Sequence, residues 1–174
     1  MYRRTVLRKP PRIKYLEAAG AIADDRVKVV EKGPSKIRAI VRSSMGDKVY
    51  SVVVKWRGKE IEVYSNDNGT MLRGYVGYPI LSLMMLTGLL KRDETIENAL
   101  RGIPWKALNE RLKRYRLVEE EVYKIAMERG VTREQLEDFI HDNTKMLEHY
   151  SVLFNPSLVE SESERRRGSL LDYM

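Results

Sequence analysis

Few side chains in this sequence are of the kinds that carry out chemistry, and those few are poorly spaced for it. The chain has no cysteine and two histidines, His141 and His149. At about 100° per residue, their directions on a predicted helix differ by roughly 80°. No carboxylate stands at a matching i+4 position to complete a metal site. We therefore expect no metal site, no cofactor and no enzymatic activity.

One glycine-rich stretch lies where a phosphate-binding loop could form. Gly69, Gly74 and Gly77 precede a predicted helix that begins at Pro79. Helix N-termini bind anions, but proline removes one amide donor, and no Walker-type motif occurs. The alternative is ordinary loop flexibility. Asp67, at the start of the stretch, is the clearest isolated polar group near a predicted core edge, and aspartate in such a loop is typical of a turn.

The positive charge of the chain is concentrated in its N-terminal half. The net charge is +7, and residues 1–80 alone hold 17 basic and 8 acidic side chains. An anionic partner should therefore meet this half first. The alternative is a solvated surface of thermophile-like composition, because a third of the residues are charged and Gln135 is the only glutamine.

The cations fall on a predicted arm and on one face of a predicted sheet. If Ile37, Ala39 and Val41 face inward, the alternating basic residues face outward. A basic face with an aromatic side chain beside it suits phosphate neutralisation combined with base stacking. The alternative places Trp56 in the core. The expected nucleic-acid contacts are Arg3, Arg4, Arg8, Lys9, Lys36, Arg38, Arg42, Lys55, Trp56, Arg57, Lys59 and Arg73.

A second basic stretch lies in residues 104–116, on a predicted amphipathic helix. Such a helix can bind RNA, bind an acidic protein groove, or bind nothing. Glu119, Glu120 and Glu121 follow immediately and can neutralise it. We therefore leave this helix out of the predicted interface.

The periodicity of apolar residues predicts the helices and strands that must position these residues. Residues 1–12 form a basic arm whose paired prolines exclude a helix. The arm can lie along a phosphate backbone, be disordered, or pack across the sheet edge. A short helix over residues 13–22 precedes a meander of three or four antiparallel strands over residues 26–64. An apolar helix over residues 79–90 should be buried against that sheet.

The second half of the chain is predicted to be helical. Short helices begin near Asp93 and Pro104, a longer one covers residues 117–129, and Thr132 with Gln135 fits a capping box. Residues 155–174 are polar enough to form a flexible tail, whose apolar end, residues 170–174, can dock or fray. The fold class is α+β. The predicted division is an arm (1–12), an α+β core (13–90), a helical extension (91–154) and a tail (155–174).

Residues 13–90 also show a resemblance in the order of their parts. A helix, a meander, a turn and an apolar helix follow one another, with Ile61–Asp67 and Gly74–Leu81 at the junction. This order resembles the SWIM zinc-binding domain, which carries a Cys-x-Cys pair at the last strand and a Cys-x-His pair at the helix. The family is usually attached to nucleic-acid machinery, so the resemblance implies DNA or protein binding.

The four zinc ligands of that family are missing here. Val63 and Ser65 stand at the first pair, and Gly77 and Pro79 at the second. A structural zinc site needs four nitrogen or sulfur ligands, so the resemblance implies a degenerate, zinc-free SWIM-like domain. We expect an apolar clasp in place of the metal, made by Val63, Leu72, Tyr75 and Tyr78.

These features predict a cytoplasmic, non-catalytic nucleic-acid-binding or adaptor protein that contacts phosphates of DNA or RNA through the arm and a β-hairpin. No membrane role is expected, since the longest apolar run, Pro79–Leu90, is shorter than the ~20 residues that a span needs. The alternative is a protein-interaction subunit or homo-oligomer that assembles through residues 93–153. An enzyme of unrecognised type is a third hypothesis, which a closed polar pocket with perturbed carboxylates would favour.

Overall fold

A computed structural model describes residues 5–159 of the chain. Arg3, Arg4 and residues 160–174 lie outside the described residues. The helices, in chain order, are α1 (Ile13–Ala23), α2 (Asn68–Met71), α3 (Tyr78–Leu86), α4 (Glu94–Ala99), α5 (Trp105–Leu112), α6 (Tyr115–Glu128) and α7 (Arg133–Glu148). The strands are β1 (Thr5–Val6), β2 (Val27–Lys32), β3 (Lys36–Arg42), β4 (Val49–Arg57), β5 (Glu60–Ser65) and β6 (Ser151–Phe154).

The strands form one mixed sheet, and the α+β fold class is confirmed. Its order is β1-β6-β5-β4-β3-β2. The four consecutive strands β2 to β5 pair antiparallel, as the predicted meander requires. The last strand, β6, inserts between β5 and β1 and runs parallel to β5. Only this late strand makes the sheet mixed.

The inner face of the sheet is apolar because alternate residues of each strand point the same way. Ile37, Val54 and Val63 lie side by side across three strands and are fully buried. Helix α3 packs on this face, and α1 lies between α3 and the helices α4, α6 and α7. All residues of α3 from Tyr78 to Met85 are buried, as expected for a helix that is apolar all round.

One hydrophobic cluster runs from the sheet through α1 to α7. Gly20 of α1 packs closely against Trp105 of α5, since a Cβ at Gly20 would lie 2.7 Å from the indole nitrogen. Residues on both sides of position 90 therefore share one core. The predicted boundary between an α+β core and a helical extension does not separate two hydrophobic cores.

Several predicted helix ends shift for identifiable reasons. The apolar helix ends at Leu86, where Thr87 turns its hydroxyl onto the carbonyls of Leu83 and Met84 and Gly88 follows with φ +80°. The predicted helix over residues 104–116 is broken at Lys113, which adopts φ +59°. The capping box at Thr132 and Gln135 is confirmed.

Residues 155–159, predicted as the start of a flexible tail, instead cover the outer face of the sheet. Asn155 caps a short 3₁₀ turn, and Val159 packs on Val53 and Tyr64. The Tyr64 and Phe154 rings stack with centroids 5.8 Å apart. The prediction was wrong here because five residues carry too short a pattern to reveal an apolar contact.

No helix within residues 5–159 has the length and apolar character required to cross a bilayer.

Candidate functional site

The described part of the predicted basic arm is docked on the sheet edge. Thr5 and Val6 pair with β6, and the Leu7 amide donates to the carbonyl of Val152 at 2.9 Å. The Arg8 guanidinium donates to the carbonyl of Arg73. Lys9 forms an exposed ion pair with Glu148, Nζ to Oε1 3.2 Å. Of the three alternatives for the arm, packing across the sheet edge describes residues 5–12.

The strand cations lie on the outer face of the sheet, as predicted. Strand register places them there because their neighbours Ile37, Ala39 and Val41 face inward. Lys36 stands directly opposite Lys55, a pairing of like charges that costs stability. The face is mixed, however: Arg38 pairs with Glu31 at 3.1 Å, and Lys55 lies opposite Glu62 on its other side. The predicted cations on this surface are Lys36, Arg38, Arg42, Lys55 and Arg57, with Lys59 in the adjoining turn.

Trp56 does not lie among these cations. It follows Lys55 along β4, so its side chain points to the opposite face, and its register partner is the buried Ile61. The indole packs against the main hydrophobic cluster. The expectation of an aromatic side chain beside the cations on one sheet face is therefore wrong, because neighbouring residues of a strand alternate between faces.

The predicted apolar clasp is also wrong in one member, since Leu72 is 78% exposed. A polar cluster centred on Asp67 joins β5 to α3 instead. The Asp67 carboxylate accepts hydrogen bonds from the hydroxyl of Ser65, from the Thr70 hydroxyl at 2.9 Å and from the Thr70 amide at 3.1 Å. The Thr70 hydroxyl in turn accepts a hydrogen bond from the Gly77 amide at 3.2 Å. Two of the positions aligned with zinc ligands, Ser65 and Gly77, are thus linked by hydrogen bonds through Asp67 and Thr70.

Asp67 is buried, and its surroundings leave it little room. Burial raises the pKa of the Asp67 carboxyl, although the hydrogen bonds from Ser65 and Thr70 oppose the rise. A Cβ at Gly77 would lie 2.2 Å from Asp67 Oδ2. Glycine at position 77 is therefore required by the close approach of the carboxylate to the backbone.

Beside this cluster lies a polar cavity of about 320 Å³. Its walls come from α1, the start of β4, residues 67–78 and the junction of α5 with α6. Its volume is at the small end of the ~300–1,000 Å³ typical of ligand pockets. The cavity therefore has room for a ligand, and we take it as the candidate functional site.

A buried ion pair forms the floor of the cavity. Lys14 Nζ lies 2.8 Å from Glu17 Oε2, and the two side chains are 12% and 8% exposed. Burial lowers the pKa of Lys14, but the charge and hydrogen bond of Glu17 outweigh it and leave that pKa raised. The ammonium also lies 5.3 Å from the centre of the Tyr115 ring. Lys14 is consequently held in its charged form.

A chain of hydrogen bonds runs along one wall. Arg73 Nη1 donates to the Tyr115 hydroxyl at 3.0 Å, and the hydroxyls of Tyr115 and Tyr75 lie 3.2 Å apart. Because guanidinium can only donate, Tyr115 accepts from Arg73 and can donate onward to Tyr75. The Tyr75 proton is then available to a ligand.

The other tyrosines of the cavity are Tyr50 and Tyr78, whose rings meet edge to face with centroids 6.4 Å apart. Burial raises the pKa of Tyr50 to about 12, and burial likewise raises the pKa of both Tyr75 and Tyr78. These phenols therefore stay protonated at neutral pH and act as hydrogen-bond donors.

The mouth of the cavity is cationic. Arg73, Lys113 and Arg114 line it and are exposed. Within residues 5–159 none of the three has a carboxylate within ion-pair distance. The backbone of Lys113 adopts a left-handed conformation. This conformation costs energy in residues other than glycine. Strain of this kind is often found at functional sites.

Within residues 5–159 no three His, Asp or Glu side chains approach closely enough to hold a metal ion.

Residues 7–153 match the model of a family described as "Uncharacterised conserved protein UCP014422". The chain belongs to this family. No curated protein and no solved structure matches the chain. The matched range contains every element that lines the cavity.

Sequence reasoning found only the edge of this site. Asp67, Arg73 and the glycines of the loop were singled out. The basic stretch that contains Lys113 and Arg114 was considered but left out of the predicted interface, and Lys14 and Glu17 were not identified. These side chains come together only through the packing of α1 against later helices. One composition signal was available: the chain has 10 tyrosines and 2 phenylalanines. Such a preference favours aromatic side chains whose hydroxyls meet polar surroundings.

Proposed function

We propose that this protein binds nucleic acid without transforming it, and that its phosphate contacts are centred on the mouth of the cavity. The observation that carries the proposal is the gathering of Arg73, Lys113 and Arg114, without carboxylate partners in the described residues, around a tyrosine-lined opening. Cations that neutralise phosphates supply most of the affinity for a nucleic-acid backbone. The proposed place of action is the cytoplasm.

Binding is favoured over catalysis because the two buried carboxylates of the cavity are already engaged. Both oxygens of Asp67 accept hydrogen bonds from its own loop. Glu17 is held by Lys14. A general acid or base must reach the proton that it transfers, and neither group is free to do so.

The outer face of the sheet supports a second contact surface. Lys36, Lys55 and Arg57 lie on it, and the opposition of Lys36 and Lys55 costs stability that a phosphate between them would recover. This surface faces away from the cavity, since the cavity opens on the side of α1 and α5. The two surfaces can therefore be tested separately by charge reversal.

The test is fluorescence anisotropy with labelled single-stranded DNA, duplex DNA and RNA at low and physiological salt. We expect binding that persists at physiological salt, with a log–log salt slope of about −0.7 per neutralised phosphate on a single strand. Arg73→Glu with Arg114→Glu should weaken binding by tenfold or more. Lys55→Glu with Arg57→Glu makes the same charge change on the outer face of the sheet and measures the contribution of that surface separately. Binding to all three nucleic acids that vanishes at physiological salt would contradict the proposal.

A separate observation supports a protein-interaction role. An open groove on α5 and α6 exposes Leu117 and Met127, which are 40% and 43% exposed, beside the partly buried Leu112. Apolar side chains grouped on a helical surface mark contact sites. In this second candidate function a partner or a second copy covers the groove. A dimer mass in size-exclusion chromatography with light scattering, converted to a monomer by Leu117→Asp, would support it.

A further inference from the structure

The cavity is divided into an interior and a mouth that differ in charge. In the interior, Lys14 is neutralised by Glu17, and Asp67 is the remaining ionisable carboxyl. The interior is therefore neutral or weakly negative. The mouth carries the three cations Arg73, Lys113 and Arg114. A phosphate is favoured at the mouth and disfavoured inside.

The interior is built for a flat, uncharged, polar group. Tyr50, Tyr75, Tyr78 and Tyr115 contribute aromatic walls, and their hydroxyls can meet ring nitrogens and carbonyl oxygens. The partly buried Asn109 and the exposed Asn68 also line the cavity, and their amides both donate and accept. Unpaired bases in protein complexes are held in this way, by stacking on aromatic side chains and by hydrogen bonds to their edges.

We propose that the cavity receives one unpaired base of a nucleic-acid strand, with the adjoining phosphate on Arg73, Lys113 and Arg114. This inference rests on the proposed function and names the feature of the nucleic acid that the site recognises. The cavity, at about 320 Å³, suits a single unit of the strand. A base held within a duplex cannot enter, so the protein selects single-stranded regions or splayed nucleotides.

The outer sheet face plays no part in this selection. Its cations lie on the opposite side of the sheet from the cavity, and its exposed surface lacks the tyrosine walls. Base recognition and general phosphate contact are therefore separable properties of the molecule.

The experiment compares two short single strands of equal length and equal phosphate charge. One consists wholly of abasic sites, and the other carries a single thymidine in the middle of such sites. Affinity is measured by fluorescence anisotropy on the full chain at physiological salt. We expect the single base to raise affinity by about tenfold or more. The same gain should appear for thymidine at an end of the strand if the phosphate contact is retained.

Tyr50→Leu should remove most of that gain, since it removes an aromatic wall but no charge. Tyr150→Leu, a partly buried tyrosine outside the cavity, is the matched control and should keep the gain. Circular dichroism tests whether each variant is folded; if Tyr50→Leu is unfolded, the two-strand comparison on the unaltered chain still decides whether a base is recognised.

Equal affinity for the two strands would overturn base recognition and leave the proposed function intact. Failure of both strands to bind, together with failure of ordinary single strands, would overturn both. A gain that survives in Tyr50→Leu would place the base elsewhere and overturn the assignment to this cavity.

Discussion

Lys113 shows how a single residue can be placed at the expense of stability. It ends α5 with φ +59°, a conformation that glycine adopts freely and lysine does not. Its ammonium lines the cavity mouth, and no carboxylate of the described residues holds it there. The proposed phosphate contact would account for a lysine at a position where glycine is the better helix terminator.

We expect Lys113→Gly to raise the free energy of unfolding by about 1 kcal/mol, because the strain at the helix terminus is relieved. The same change should weaken nucleic-acid binding by several-fold, because one phosphate contact is lost. Urea unfolding and anisotropy measure the two effects on the same preparation. Lys113→Arg is the control that keeps charge and strain. A more stable variant with unchanged affinity would remove Lys113 from the interface.

Gly77→Ala should destabilise the fold by about 1–3 kcal/mol through overpacking, because the added Cβ would lie 2.2 Å from Asp67 Oδ2. Displacement of Asp67 would also loosen its bonds to Ser65 and Thr70. Gly33→Ala is the matched control, since its Cβ would lie 3.7 Å from the nearest atom, and it should change stability by less than about 0.5 kcal/mol. Thermal unfolding of the two variants gives the comparison, and equal midpoints would show that Asp67 moves aside freely.

At the scale of elements, β6 determines whether the sheet is complete. It supplies parallel pairing to β5 and antiparallel pairing to β1, and it buries Val152. Without β6, β1 has no partner in the sheet and β5 exposes its backbone groups. Four residues thus hold both the docked arm and the edge of the meander.

A chain that ends at Tyr150 should therefore lose at least about 3 kcal/mol of stability, from one buried valine and several hydrogen bonds. A chain that ends at Val159 should unfold at the same urea concentration as the full chain. A chain that ends at Phe154 separates the contribution of β6 from that of Val159 on the outer face. Identical unfolding midpoints for the chains ending at Tyr150 and Val159 would show that β6 contributes nothing.

The contrast between β6 and the meander explains what the sequence could predict. Strands β2 to β5 follow one another through tight turns, so alternation and turn residues reveal them locally. The capping box of α7 is equally local. Strand β6 has four residues and a partner about 90 positions earlier, and no local pattern records such pairing. The cavity could not be predicted from the sequence for the same reason, because Lys14, Tyr50 and Lys113 meet only in the folded chain.

At the scale of the whole molecule, the buried phenols make stability depend on alkaline pH. Burial raises the pKa of Tyr50 from 10.0 to about 12, and burial raises the pKa of Tyr75, Tyr78 and Tyr123 in the same direction. Above pH 10 the unfolded chain loses these protons while the folded chain retains them. The stabilisation is therefore complete below pH 10 and is lost as pH rises through about 12.

We expect the free energy of unfolding in urea to fall steeply between about pH 10 and pH 12. Phenolate absorbance should show part of the tyrosines ionising only as the protein unfolds, and all of them ionising near pH 10 in urea. Tyr50→Phe should flatten part of the decline, and Tyr150→Phe, whose parent residue lies outside the cavity, serves as the control. Ionisation of all tyrosines near pH 10 in the folded protein would contradict the burial of these phenols.

The insertion of β6 between β1 and β5 also determines when the sheet can be completed during translation. During synthesis β1 leaves the ribosome before its partner β6, and residues 7–150 are translated between them. At about 5–20 residues per second, this delay is roughly 7–30 s. Once β5 has been synthesised, its edge is unprotected and open to pairing with another chain until β6 follows. The nascent sheet is therefore most exposed to misassembly in the interval between the synthesis of β5 and that of β6.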